Sequence, residues 1–194
     1  DQITLNNVYL KILGGLSILG KKNDRVTITC PISNPSTIFI QTPNIIEINN
    51  TDFSNLTNLK SPFQQPASIT FYKTNNVLIN NSTFTNNVSG DDFLNFFRSE
   101  NVKIKNSKIH KTYSDAIDSD FSQIIIQNST FENIGNDAID GSGSDIVIDN
   151  SIFLSSRDKA VSAGERSSFL ISNCFFENNE IGFVSKDNST VVSR

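Results

Sequence analysis

A six-residue pattern returns along this chain at a near-constant interval: an apolar residue, any residue, Asn, a small polar residue, any residue, then Phe or Ile. It reads Ile48-Asn49-Asn50-Thr51-Asp52-Phe53, then Ile79-Asn80-Asn81-Ser82-Thr83-Phe84 and Ile104-Lys105-Asn106-Ser107-Lys108-Ile109. It continues as Ile126-Gln127-Asn128-Ser129-Thr130-Phe131, Ile148-Asp149-Asn150-Ser151-Ile152-Phe153 and Ile171-Ser172-Asn173-Cys174-Phe175-Phe176. Weaker copies are placed at Leu5-Asn6-Asn7-Val8-Tyr9-Leu10 and Ile28-Thr29-Cys30-Pro31-Ile32, with Cys30 standing in the Asn position. Successive Asn positions are then 23, 20, 31, 25, 22, 22 and 23 residues apart. The long interval holds Ser61-Pro62-Phe63-Gln64-Gln65-Pro66, whose prolines mark a loop inserted near 57–68. A fixed period of this length signals a solenoid, in which each repeat buries its apolar face on the next.

A second register keeps step with the first. Asp115-Ala116-Ile117-Asp118 is followed at 22-residue steps by Asp137-Ala138-Ile139-Asp140, Lys159-Ala160-Val161-Ser162 and Ile181-Gly182-Phe183-Val184. Each repeat therefore carries several runs of three to five β-favouring residues, too short for helices and separated by Gly, Asn, Asp and Ser. Equivalent strands in successive repeats run the same way, so the sheets are parallel. Parallel crossovers are right-handed in nearly all cases. The expected fold is all-β: a right-handed, single-stranded parallel β-helix of about eight coils of roughly 22 residues, one domain over 1–194. The rungs are predicted as Ile48, Ile79, Ile104, Ile126, Ile148 and Ile171; as Phe53, Phe84, Ile109, Phe131, Phe153 and Phe176; and as Ile117, Ile139, Val161 and Phe183. The Asn column is expected to be a buried amide ladder, since buried amides must be hydrogen-bonded. Sequons within it, such as the one at Asn128, are then expected to be unusable.

Two cysteines make no disulfide framework. With coils about 4.8 Å apart, Cys30 and Cys174 are placed roughly 29 Å from each other, far beyond disulfide reach. A net charge of −4 argues against nucleic acid as a partner. The one basic cluster, Lys103, Lys105, Lys108 and Lys111, reads as a solvated face. No run approaches a membrane span.

Asp115-Ala116-Ile117-Asp118-Ser119-Asp120-Phe121-Ser122 and Asn136-Asp137-Ala138-Ile139-Asp140-Gly141-Ser142-Gly143-Ser144 resemble consecutive coils of the bacterial right-handed parallel β-helix repeat proteins of the pectin-lyase-like superfamily. Asp158-Lys159-Ala160-Val161-Ser162-Ala163-Gly164-Glu165 shares the resemblance. It implies a secreted or surface protein, on a fold that polysaccharide lyases, hydrolases and epimerases also use. The motifs of the pectin hydrolases do not carry over. Asp91-Asp92 is the only Asp-Asp pair, no Gly-His-Gly accompanies it, and His110 is the only histidine.

The acidic residues are the polar feature richest in chemistry. By register Asp92, Asp115 and Asp137 form one line, and Asn95, Asp118 and Asp140 a second. Like charges one coil apart repel, so something must offset them: a bound cation, raised carboxyl pKa values, or capping of backbone N–H groups. Asp115, Asp118, Asp137 and Asp140 are accordingly the candidate ligand-binding residues and, for calcium, the candidate metal ligands. Calcium is the one cofactor that the sequence suggests. In the next coil Arg157 and Lys159 arrive, with Glu165 and Arg166 after them. Lys159, Arg166 and Asp137 are the candidate catalytic residues of a calcium-assisted lyase or epimerase. In that arrangement a basic group takes the proton beside a uronate carboxylate. Three readings stand at this point: a structural or carbohydrate-binding extracellular module, that lyase or epimerase acting on acidic glycans, and a subunit that assembles end to end through strand-like termini. Those strand-like ends are also expected to belong to a longer protein or an assembly.

Overall fold

The computed structural model describes residues 1–59 and 67–194. They form three parallel sheets of eight strands each, one strand per coil in each sheet. We name the sheets A, B and C by the order in which the chain visits them. One central coil illustrates the path. It runs through sheet C at Gln123–Gln127, sheet A at Thr130–Ile134 and sheet B at Ile139–Ser142. In sheet A the partners Gln2, Thr27, Asp52, Thr83, Lys108, Thr130, Ile152 and Phe175 are spaced by 25, 25, 31, 25, 22, 22 and 23 residues.

Alternation along each strand sends one set of side chains inward, and the in-register pairing stacks like upon like. The Ile48-to-Ile171 rung pairs as expected, as do the Phe53-to-Phe176 rung and the Ile117-to-Phe183 rung. Phenylalanines one coil apart lie face to face, with ring centroids 4.9 Å apart for Phe53–Phe84 and for Phe131–Phe153. Their spacing is set by the ladder, not by any preference of the rings, which would otherwise offset.

The corners explain the Asn column, and they correct its expected role. Asn50, Asn81, Asn106, Asn128, Asn150 and Asn173 all have φ between 47° and 51°. Each makes the one-residue left-handed turn from sheet C to sheet A, a conformation that Asn tolerates better than most residues. The column lies on the outside, with Asn106, Asn128, Asn150 and Asn173 exposed. Its amides do form a ladder: Asn150 Nδ2 donates to Asn128 Oδ1 at 2.6 Å, and Asn128 Nδ2 to Asn106 Oδ1 at 3.4 Å. The buried polar ladder is the neighbouring serine. Ser82, Ser107, Ser129 and Ser151 are buried. Each hydroxyl accepts the backbone N–H of the previous coil at 3.2–3.3 Å and donates to the carbonyl two residues back. A matching ladder of Ser99, Ser122, Ser144 and Ser167 lines the corner between sheets B and C.

Two N-terminal expectations are out of register. Ile28 pairs with Phe53, so it belongs to the Phe rung, and Ile3 stacks on it. The true partners of the Ile48 and Asn50 positions are Ile18 and Gly20. The reason is local. The first coil replaces the one-residue Asn turn with a longer one between Leu19 and Val26, closed by the Lys21–Asp24 bridge. Cys30 therefore lies outside the Asn column, level with Asn55, to whose carbonyl its thiol donates a hydrogen bond at 2.7 Å. Cys174 does occupy the serine column, and both thiols are free. Of the loop expected near 57–68, Ala67 and Ser68 open the strand Ala67–Tyr72. Residues 60–66 lie outside the described residues.

Candidate functional site

The acidic residues gather where sheet A turns into sheet B. In the strand Asp115–Asp120, Ala116 and Ile117 are both buried and consecutive, and their N–H groups both bond the next coil, at the Asp137 and Ala138 carbonyls, which marks a bend in the chain. The bend leaves Asp115 at the corner and sends Asp118 and Asp120 to the outer face. Asp115 pairs above with Asp92, and Asp118 pairs with Asn95 on one side and Asp140 on the other.

The two lines behave differently. The corner line is stitched to backbone: Asp115 Oδ1 accepts the N–H of Asp137 at 2.9 Å and the Asn136 amide at 2.7 Å. Asp137 Oδ1 accepts the N–H of Lys159 at 2.8 Å. These two carboxyls cap backbone groups one coil on. Asp92 has no such role, since the Asp115 N–H goes to the Asp91 carbonyl at 2.9 Å. Its Oδ2 is buried and finds no partner among the described residues. On the outer-face line, Asn95 Nδ2 donates to Asp118 at 3.0 Å and to Asp120 at 3.1 Å. Asn95 Oδ1, Asp140 Oδ1, Thr70 Oγ1 and Ser162 Oγ, all in this one column, are left without partners among the described residues.

Burial first, and then crowding of carboxyls with little counter-charge, raises their pKa values. Burial pushes Asp118 up to about 8, with Asp120 and Asp140 adding repulsion. Burial also lifts Asp115 to about 6 against the bonds it accepts. Asp92 stands well above the usual carboxylate range through burial, with Asp118 and Asp115 next in effect. Asp137 is raised by burial, less so because Lys159 bonds it. At neutral pH Asp118 is thus a proton donor as well as an acceptor.

Of the candidate catalytic residues, Lys159 and Asp137 meet: Nζ stands 3.3 and 3.4 Å from the two carboxyl oxygens and also contacts Asp158. Both partners hold the ammonium in its charged form. Arg166 lies past the opposite end of the strand Lys159–Gly164, away from this corner. Among the described residues, no group of three or more His, Cys, Asp and Glu is arranged to hold a metal ion. His110 is half-buried on sheet A, and burial lowers its pKa.

Sequence reasoning missed a concavity at this corner. A groove of about 830 Å³ runs across the A-to-B turns of successive coils, with Tyr113, Asn133, Gly135, Arg157, Asn178 and Glu180 along it. Tyr113 is 65% exposed. A Cβ on Gly135 would stand 2.1 Å from the Tyr113 carbonyl oxygen, so only glycine lets that turn seat directly on its neighbour. Asn133 and Asn178 continue a left-handed column that Asn55 and Asn86 also occupy, but Tyr113, Gly135, Arg157 and Glu180 differ from coil to coil, so periodicity gave no signal for them. Further along sheet B, Tyr72 and Phe97 stack at 5.5 Å, with Lys73 and Arg98 over their rings.

Three stacked parallel sheets joined by left-handed corners define a parallel β-solenoid. The chain belongs to the family described as the right handed beta helix region, whose model matches residues 1–140 and again 92–194. No curated protein matches it. Among solved structures, it is similar to an alginate lyase from Paenibacillus sp. str. FPU-7, at 13% identity and a TM-score of 0.40, with all of this chain lying on 91% of that one. It is also similar to pectate lyase Pel9A, at 10% identity and a TM-score of 0.49, with all of this chain lying on 68% of that one. At such identities the likeness is one of fold. No helix among the described residues is long and apolar enough to cross a membrane.

Proposed function

We propose that this chain is a carbohydrate-binding β-helix module, secreted or displayed at a cell surface, that holds a glycan across its A-to-B corner without cleaving it. The observation that carries the reading is the groove. It is open and elongated, and it sets an exposed tyrosine among amide, guanidinium and carboxyl groups. A sugar presents an apolar ring face and a rim of hydroxyls. Tyr113 suits the first and Asn133, Arg157, Asn178 and Glu180 the second. Hydrogen-bonded strands flank the turns, so the backbone of the site is formed before binding and only exposed side chains such as Tyr113 are ordered. Binding without turnover is favoured because Lys159, the basic group nearest the carboxyls, is held as a cation and makes a poor base.

The test is an array of neutral and charged oligosaccharides, followed by calorimetry on the best ligand with the Tyr113→Ala and Arg157→Ala variants. Each variant is expected to weaken binding about tenfold or more, as buried aromatic and Arg contacts commonly do. Release of shortened products from any glycan, no binding to any of them, or variants that bind as the wild type does would overturn the reading.

A further inference from the structure

The outer face of sheet B, whose strand begins four residues beyond Gly135 of the groove, carries one column, Thr70, Asn95, Asp118, Asp140 and Ser162, that holds no cationic side chain. Asp118, Asp120 and Asp140 stand half-buried on it. Asn95, only 1% exposed, lies among them with its amide nitrogen on Asp118 and Asp120 and its oxygen unpartnered. Asp140 Oδ1 and, at the corner, Oδ2 of Asp92, a residue only 2% exposed, also have no hydrogen-bond partner among the described residues. Buried acceptors left this way are uncommon and costly.

One coil further on, the chain answers the same shortage by itself. Where the corner line of carboxyls ends at Asp137, Lys159 supplies an ammonium at 3.3 and 3.4 Å. The outer-face line receives no such group, because the residue that follows Asp140 in register is Ser162. An ammonium carries three donors, a positive charge and no acceptor, which is what this line lacks. A hard divalent ion fits less well. It demands six to eight oxygens, and no three acidic groups among the described residues are arranged to hold one.

We propose that the outer face of sheet B takes the ammonium groups of an amino-sugar oligomer, at Asp118 and Asp140, while its sugar rings run along the Tyr113 groove. This rests on the carbohydrate-binding reading above and names the class of glycan. Asp118 is three residues past the corner, about 10 Å along the strand, so one short oligomer covers both places. Seating an ammonium there also changes the protonation of the site. Asp118 faces Asp92 and Asp115 near the corner, Asp120 on its own strand and Asp140 on the next. An added positive charge lowers its pKa, so binding releases a proton to the buffer.

The experiment is calorimetry at mildly acidic pH with a glucosamine hexamer and with its fully N-acetylated counterpart, in two buffers of different ionisation heat. The proteins are the wild type and the D118N/D140N double variant, with melting curves to confirm that the variant folds. The glucosamine hexamer is expected to bind at least tenfold more tightly than the acetylated one and to release protons. The double variant is expected to lose that preference and the proton release while still binding the acetylated hexamer. Equal binding of the two hexamers, or a double variant that keeps the preference, overturns the inference and leaves the glycan reading standing. Failure of every glycan to bind removes both. If calcium chloride alone stabilises the wild type and displaces the glucosamine hexamer, the face is a metal site and the inference falls.

Discussion

At the scale of single residues, a position in this fold serves either the backbone or the core, and Asn128 separates the two. Its φ of 51° is a cost for any residue with a Cβ, and its amide links only exposed neighbours. Asn128→Gly keeps the left-handed turn and is expected to cost under about 1 kcal/mol, the worth of an exposed hydrogen bond. Asn128→Ala adds the strain of a left-handed alanine, about 1–2 kcal/mol more. Urea unfolding of the two variants checks this, and equal losses would show that the amide ladder matters more than the turn. Asp118 sets a second test. Its carboxyl ionises from about pH 4 in the unfolded chain but only near pH 8 in the fold. Its favourable contribution is therefore complete below about pH 4, declines as pH rises, and is gone above about pH 8. Asp115, raised to about 6, acts in the same direction. Melting temperatures of the wild type and Asp118→Asn should converge near pH 4, diverge up to about pH 8 and stay apart by a constant amount above it, with the variant the more stable. Identical curves at pH 9 would mean that Asp118 is not crowded as described.

At the scale of the strand and its corner, stability comes from identical side chains stacked one coil apart. Phe153 lies between Phe131 and Phe176 at centroid distances of 4.9 and 5.0 Å and is fully buried. Phe153→Ala opens a cavity in the middle of that stack and should cost about 3–5 kcal/mol, measured as a shift in denaturation midpoint. A loss under about 1 kcal/mol would show that the coils close over the gap. The same stacking made much of the fold legible. Ile48 to Ile171 are one residue type at one period, and only in-register parallel strands make sense of that. The Asn column was equally plain as a column, but its side was misjudged. An Asn chosen for a left-handed φ and an Asn chosen for a buried amide look alike in a sequence, and the serine beside it does the buried work. Coils one and two were misaligned because the turn between Leu19 and Val26 lacks the one-residue Asn signal. The two carboxyl lines were legible from the register alone. The separation of their roles was not, since capping by Asp115 and Asp137 depends on the bend at Ala116.

At the scale of the molecule, a solenoid is a ladder of near-identical neighbours, and its individuality lies in what fails to repeat. Here the rungs are regular, whereas Tyr113, Gly135, Arg157 and Glu180 are each singular, and they share one groove beside the two carboxyl lines. The proposed function therefore rests on the A-to-B corner and the outer face of sheet B, with sheets A and C as their support. The most direct measurement is a crystal structure of the chain grown with saturating oligosaccharide. The account predicts glycan density lying along the corner, with a sugar ring against Tyr113 and polar contacts to Arg157. Glycan density seated on sheet A or sheet C, with the corner empty, would contradict it.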